Sequence, residues 1–261
     1  MHTEAIGYFA LNPGAGGLGA TASTGDSLVI KNNRGVSGPQ IIDAWAQHTG
    51  AGFHQITFPS GHDTTRGYRA GVIQDDTYSL LPCGLAIPIT AQEQETITIA
   101  GSAAATECGC QLVHYPDLPG VDQRALTWAQ ARDKMDKLTT VVMSITPPTP
   151  GQWGGGTAIN GGGSDLLLAN RDYAVLGITT TVDMCAISIM GPDTGNIRIA
   201  APGANQNSDE AAQYFALLAR AQDMALIPVI NSGNKASTTI QAMGGTAVAT
   251  VVTLMLALLK R

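Results

Sequence analysis

The chain has 261 residues, 44% of them hydrophobic and only 13% charged, enough to bury one large core or two of ordinary size. A net charge of −6 with no Lys/Arg cluster argues against direct binding of nucleic acid. A charged share about half the usual one leaves little repulsion between neighbours, which suits a surface covered by partners. Met1–Glu4 offers neither the basic region nor the apolar stretch of a signal peptide.

Short, β-branched apolar runs bounded by Gly, Pro, Asn and Ser predict strands. In chain order they fall near 5–11, 26–31, 40–46, 53–58, 83–89, 95–100 and 106–115. A second series follows near 138–146, 164–169, 173–181, 184–190, 196–200, 225–231, 237–242 and 246–258. Two helices are expected. One runs from Asp122 to Lys137, with Leu126, Ala129, Met135 and Leu138 as its apolar stripe. The other starts at Ser208-Asp209-Glu210 and continues to Gln222. Asp193-Thr194-Gly195-Asn196 reads as a hairpin turn.

The two series match each other in order. Gly25–Arg34 resembles Gly163–Arg171, and each follows a glycine-rich loop that opens with Pro-Gly, at Pro13 and Pro150. Thr49-Gly50 leads into Gln55–Gly61 as Thr194-Gly195 leads into Asn196–Gly203. Leu85–Ile89 pairs with Leu226–Ile230, Thr96–Ile99 with Thr238–Ile240, and Ala105–Leu112 with Ala249–Leu256. The offsets run from 137 residues (Pro13 to Pro150) to 145 (Thr49 to Thr194). The reading is an all-β chain of two tandem antiparallel β-sandwiches of jelly-roll type with short helices. The first sandwich covers 1–120, a linker helix 121–137 and the second sandwich 138–261. The repeat also bears on the uncharged stretch Ala242–Leu259, long enough to raise the question of a membrane span. Its first-copy counterpart carries Glu107, Gln111 and His114, so a core strand is expected there.

No pattern converges on chemistry. Gly14-Ala15-Gly16-Gly17-Leu18-Gly19 satisfies G-x-G-x-x-G, but Ala20–Asp26 is a poor helix for a pyrophosphate to meet, and a loop is expected. The second copy places Gly154–Gly156 and Gly161–Gly163 there instead. The cysteines are Cys83, Cys108, Cys110 and Cys185, a usage that fits a reducing compartment; Cys108-Gly109-Cys110 is C-x-C without a second pair, and in a strand its two thiols share a face and read as small core residues. Ser60, His62 and Asp63 crowd one loop without a nucleophile elbow. His48, His54 and His62 are a weak metal set. Asp75-Asp76, Glu93, Glu95, Asp122, Asp133, Asp136, Asp183, Asp193 and Asp209-Glu210 read as solvated loop acids. Trp45, Trp128 and Trp153 lie in different elements and build no sugar platform. The expectation is a protein without catalytic residues, cofactor or metal, and not an enzyme.

Two jelly-roll-like units in tandem, in a glycine-rich chain of low charge, resemble the double jelly-roll major capsid proteins of tailless icosahedral viruses and bacteriophages. The nearest thing to a shared signature is Ile87-Pro88-Ile89 and Ile227-Pro228-Val229, with the Pro-Gly turns upstream. The resemblance implies a structural virion protein, assembled in the host cytoplasm. It would form homotrimers whose six sandwiches make pseudo-hexameric capsomers of an icosahedral shell. In such shells minor capsid proteins and an underlying membrane are further partners, and the loops 13–25 and 151–163 would contact neighbours or decorate the surface. The alternative is a tandem β-sandwich module that binds carbohydrate, as an adhesin does.

Overall fold

The computed structural model describes residues 2–9, 38–47, 86, 108–116, 122–147, 151–154, 156–159, 167–203, 210–245 and 247–261 in full, and in backbone alone further short strands between 10 and 107 and Asp209. The described residues are mostly antiparallel β-sheet with few helices, consistent with an all-β sandwich. In the first half the longer strands are β1 (His2–Leu11), β2 (Gln40–Gln47), β3 (Gly52–Thr57), β4 (Tyr68–Val72), β5 (Thr77–Ser79), β6 (Thr96–Ala100) and β7 (Thr106–Tyr115). One sheet runs Ser23–Thr24, β1, β7, β2, β5, with Ile87–Pro88 also on β2; the other runs Ala20–Thr21, β6, β3, β4.

The second half contains α1 (Trp128–Lys134), β8 (Met135–Ile145), β9 (Asp172–Thr180), β10 (Met184–Met190), β11 (Ile199–Gly203), α2 (Tyr214–Gln222), β12 (Ile227–Asn231), β13 (Thr239–Met243) and β14 (Thr250–Leu259). One sheet is ordered Ala125–Leu126, β12, β9, β14, β8, and the other Thr157–Ala158, β13, β10, β11. Eight strands are common to the halves. In each half the first, eighth, third and sixth share one sheet, and the second, seventh, fourth and fifth share the other.

The period-2 alternation expected of half-buried strands is plain in β8 and β14. Val141, Met143 and Ile145 point into the core opposite Leu254 and Val252, while Leu138, Thr140 and Val142 alternate outward. Ala242–Leu259 is therefore strand and turn, as expected, and no helix among the described residues is long and apolar enough to cross a membrane. In β9 and β10 nearly every side chain is buried, because helices or the first half cover the second face.

Several expectations fail, each for a local reason. The linker helix does not begin at Asp122. Thr127 accepts from the Gln130 N–H at 3.2 Å and Gln130 Oε1 accepts from the Thr127 N–H at 3.0 Å, a capping box that starts the helix at Trp128. Met135 already belongs to β8, so the supposed stripe is not one: Ala131 is the buried helix residue, Ala129 is exposed and Leu138 is 66% exposed. The 208–222 helix is broken into a turn over Asp209–Ala212 and α2, with Gln213 outside helical geometry. The strand expected near 164–169 is not one where it is described; Leu167 and Leu168 lie in a loop, pinned by the Leu168 N–H donating to the Tyr173 hydroxyl. The match of Gln55–Gly61 with Asn196–Gly203 is displaced by one strand, since β3 is the fourth common strand of its half and β11 the fifth. The other three strand matches, at Ile87, Thr96 and Thr106, fall on equivalent strands.

The segment after the first half is held by charge. Arg124 donates to both oxygens of Asp172, at 2.6 and 3.1 Å, and to Asp193 Oδ1 at 3.1 Å. Asp193 is no solvated loop acid: it is buried in the 3-10 turn between β10 and β11, where its other oxygen accepts from the Asn231 N–H at 2.9 Å and from Asn234 Nδ2 at 3.0 Å. The guanidinium bonded to Asp172 holds that carboxyl below the usual range. Asp193→Ala would take the acceptor from the Asn231 N–H and Asn234 Nδ2 and one of two from Arg124 Nη1, and a loss of about 2–4 kcal/mol in urea unfolding is expected. Gly177, at the bulge of β9, has the backbone of Ala211 and Ala212 against it, where a Cβ would strike the Ala211 carbonyl oxygen. Gly177→Ala is expected to lower the unfolding midpoint at constant m-value, by about 1–3 kcal/mol; an unmoved midpoint would show that the turn over 209–212 is free to lift.

Candidate functional site: the seam between the halves

No three described His, Cys, Asp or Glu residues come together in a way that could hold a metal ion. What the described residues do bring together is a seam. The sheet β1-β7-β2 of the first half lies against the sheet β10-β11 of the second. Register places Thr3, Ala5 and Gly7 of β1 beside His114, Leu112 and Cys110 of β7, and Cys110 and Cys108 beside Trp45 and Gln47 of β2. Alternation puts all of these on one face. Ala5, Ile42, Trp45, Cys108, Cys110 and Leu112 join the core of the second half in a single apolar cluster with Met184, Cys185, Ala186 and Met243.

Polar groups cross the seam in matched pairs. Trp45 Nε1 donates to the Cys185 carbonyl at 2.5 Å, and Gln47 Nε2 to the Asp183 carbonyl at 2.8 Å. Gln47 Oε1 accepts from the Gly245 N–H at 3.2 Å. The Ala5 N–H donates to the Arg198 carbonyl at 2.8 Å. Gln123 binds the backbone of Thr3 from both sides, at 2.8 and 3.0 Å. Trp153 lies beneath the Arg198 guanidinium, 4.7 Å from the ring centroid, and a Cβ on Gly7 would come within 2.7 Å of its indole nitrogen. Only glycine fits there. Trp45 and Trp153, in different elements of the sequence, thus anchor one surface from opposite sides.

The helix α2 completes the seam. Its Tyr214 ring packs edge-on against Trp45, and the Tyr214 hydroxyl donates to Asp43 Oδ2 at 2.6 Å. Gln222 Nε2 donates to the Ile42 carbonyl at 3.2 Å. Asp43 sits in the apolar run Ile41-Ile42-Asp43-Ala44-Trp45, and that setting is the signal by which it could have been singled out. Removal from water pushes its carboxyl up to about 6 from an ordinary 3.8, against the opposing bonds from Tyr214 and the Ala44 N–H.

Of the candidates read from the sequence, Cys108, Cys110 and Cys185 are buried in the seam, as small core residues would be. The loop 151–163 is not free where it is described: Gly151 and Gly154 donate to the carbonyls of Gly244 and Ala242, and Thr157–Ala158 pairs with β13. His54 is described in backbone only. Gly14–Gly19, His48, Ser60, His62, Asp63, Asp75-Asp76, Cys83 and Gly161–Gly163 lie outside the described residues. The described histidines, His2 and His114, lie elsewhere: His2 stacks on Tyr115 with centroids 4.8 Å apart, and His114 Nδ1 lies 3.1 Å from Thr3 Oγ1.

A second surface lies open among the described residues. On the outward face of β8-β14, a groove of about 700 Å³ runs beneath α1 and the 209–212 turn, lined by Trp128, Met135, Leu138, Leu176, Ala212 and Met255.

No protein-family model matches the chain, and no curated protein does. Among solved structures it is similar to the PBSX exported protein XepA (10% identity, 89% of this chain and 80% of that one, TM-score 0.23). It is also similar to a cupin 2 conserved barrel domain protein from Leptotrichia buccalis (10% identity, 88% and 80%, TM-score 0.18). A third is the STIV MCP, a major capsid protein (8% identity, 98% and 96%, TM-score 0.22). At these TM-scores and identities the likenesses fix neither a fold family nor a role.

The seam makes stability depend on pH in a defined direction. A carboxyl whose folded value of about 6 exceeds its unfolded value adds its full stability below about pH 4 and loses it as pH rises through 6. Burial also drives His2 down to about 4 and lowers His114, so these two act on the acid side, losing stability as pH falls below their unfolded value of 6.5. Asp43→Asn is therefore expected to gain up to about 2 kcal/mol on the wild type between pH 4 and 7, the surface Asp43 retains screening part of the full effect. Urea unfolding at a series of pH values measures this; parallel profiles for the two proteins would refute it.

Proposed function

We propose that the chain is a tandem pair of jelly rolls, related by duplication, and that it is a shell-building protein: a homotrimer whose six sandwiches form one pseudo-hexagonal tile of a virion. The strand order shared by the two halves, first-eighth-third-sixth against second-seventh-fourth-fifth, is the jelly-roll order and supports the fold.

The observation that carries the function is the heterologous character of the seam. One half presents its β1-β7-β2 sheet; the other receives it on a different sheet, β10-β11. Front meets back, so the contact uses up one of each kind of face and leaves one of each. The unused front is β8-β14, the equivalent of β1-β7, and it is the face that carries the uncovered apolar groove. The back that no described contact uses is the sheet of β3, β4 and β6. Heterologous contacts that repeat at a constant rotation close into a ring. A second copy laying its β3-β4-β6 sheet over Leu138 and Met255 repeats the internal contact between molecules, and three chains then supply six units. The low charge of the chain suits a surface covered this way.

Light scattering after sizing chromatography, with negative-stain microscopy, tests the reading. A mass three times 26.9 kDa and threefold tiles are expected. Leu138→Glu combined with Met255→Glu is expected to yield monomers with an unchanged circular dichroism spectrum, because both side chains face outward from the sheet. A wild-type monomer at micromolar concentration, a monomer that binds glycans, or a trimer indifferent to the double substitution would each overturn the proposal.

A further inference from the structure

The two halves can be laid on each other residue by residue, because their strands pair in the same register. In the back sheet of the first half, β6 pairs with β3 from Thr96 opposite Thr57 to Ala100 opposite Phe53. In that of the second, β13 pairs with β10 from Thr239 opposite Met190 to Met243 opposite Ala186. The next strand agrees: Tyr68 opens β4 opposite Ile56, and Ile199 opens β11 opposite Ile189. The front sheets share a mark of their own. In each, the third strand carries one extra residue against the eighth. Ile42 is extra between the partners of Leu112 and Val113, and Leu176 between those of Met255 and Leu256. Leu112 therefore answers to Met255. Through the first strands, Ala5 answers to Thr140 and Gly7 to Val142.

In the seam Gly7 meets Met243. A Cβ on Gly7 would come within 3.0 Å of the Met243 sulfur and 2.7 Å of the Trp153 indole nitrogen. On the open β8-β14 face Val142 stands in the place of Gly7. In the sheet of β3, β4 and β6, Ala100 stands in the place of Met243. By the sequence match of Pro150 with Pro13, Gly16 stands in the place of Trp153. The small residue of the seam is thus exchanged for a larger one and both large ones for small. A second contact of the same geometry keeps its packed volume by that exchange.

We propose, resting on the shell-building reading, that β8 of one copy crosses β6 of the next in the register of the seam, with Val142 against Ala100. The occupant of the open face is then the first half of a second copy, seated by its back sheet. Charge favours that occupant over a meeting of two first halves. Residues 1–120 hold 10 acids and 4 bases, and residues 121–261 hold 10 of each, so the net charge of −6 sits wholly on the first half. Two first halves repel each other, whereas a first half meets no net charge on a second. The strongest grip of the seam does not recur between copies, because Trp45 answers to Thr179. Copies therefore part before the halves of one chain do.

Single-cysteine exchange tests the register. Full-length Val142→Cys and Ala100→Cys proteins are purified separately, mixed where the wild type is trimeric, and treated with copper phenanthroline or a short bis-maleimide. Wild type controls for the native thiols. The mixture is expected to give a linked dimer on a non-reducing gel, mapped to positions 142 and 100 by peptide mass, which neither protein gives alone. Thr96→Cys, at the other end of β6, is expected not to link to Val142→Cys. Ala100→Met is expected to overfill the contact and raise the trimer dissociation constant about tenfold or more, and adding Val142→Gly to restore it. Hydrogen exchange on the wild type needs no substitution: on dilution to monomer, peptides of β8 and β6 lose protection while those of β1 keep theirs. Trimers that link through position 96 or through neither position, that show no rescue in the double variant, or whose β6 keeps its protection on dilution overturn the register and leave the shell reading standing. A wild type that is monomeric throughout overturns both.

Discussion

The sheet of β1, β7 and β2 has no face left for water. From His2 to Tyr8, from Ile41 to Gln47 and from Cys108 to Tyr115, nearly every described side chain is buried. In an isolated sandwich one face of such a sheet would be wet, and its polar groups would need no partner. Here each polar group on the second face must find one across the seam, because an unpaired buried donor costs about 1–3 kcal/mol. Trp45, Gln47, Tyr214 and Gln222 all meet that demand with bonds to groups of the other half. The two halves consequently share one apolar cluster, and the bonds across the seam fix how they meet.

Much of the second half is organised to present this seam. The Arg124–Asp172–Asp193 network ties the crossover segment to β9 and to the turn after β10. It settles where β10 starts back toward β11, and so where Arg198 and the Ala5 contact fall. The close approach at Gly177 lets the helical region 209–222 lie low on β9, which brings Tyr214 and Gln222 within reach of β2. Asp43 is there at a cost: its carboxylate has good donors but too little water, and its elevated titration reflects that imbalance.

Legibility in the sequence followed the physics of each signal. Long alternating strands such as β8 and β14 were readable because a single buried face imposes a period of two. The same-face placement of Cys108 and Cys110 was readable for the same reason. The linker helix was misread because a local capping box, Thr127 with Gln130, outweighs the apolar spacing that ran on to Leu138. The run Leu166–Leu168 looked like a strand, yet where it is described Leu168 lies exposed in a loop, its N–H taken by the Tyr173 hydroxyl. One internal match slipped by a strand because short strands followed by Pro and Gly resemble each other whatever their place in the sheet. Asp43, Asp172 and Arg124 escaped notice because nothing local distinguishes a buried, partnered charge from a solvated one, except the apolar company that Asp43 keeps.

The sequence alone determined the β-rich class, the order of most strands, the recurrence of that order in the two halves and the burial of Cys108 and Cys110. These follow from composition, periodicity and self-similarity, which are properties of the chain read one stretch at a time. Only the tertiary structure decided that the front sheet of one half lies on the back sheet of the other. It alone paired Trp45 with Cys185 and Tyr214 with Asp43, residues 140 and 171 positions apart. No local pattern encodes such distant pairings, because they arise from which two surfaces fit once each half has formed.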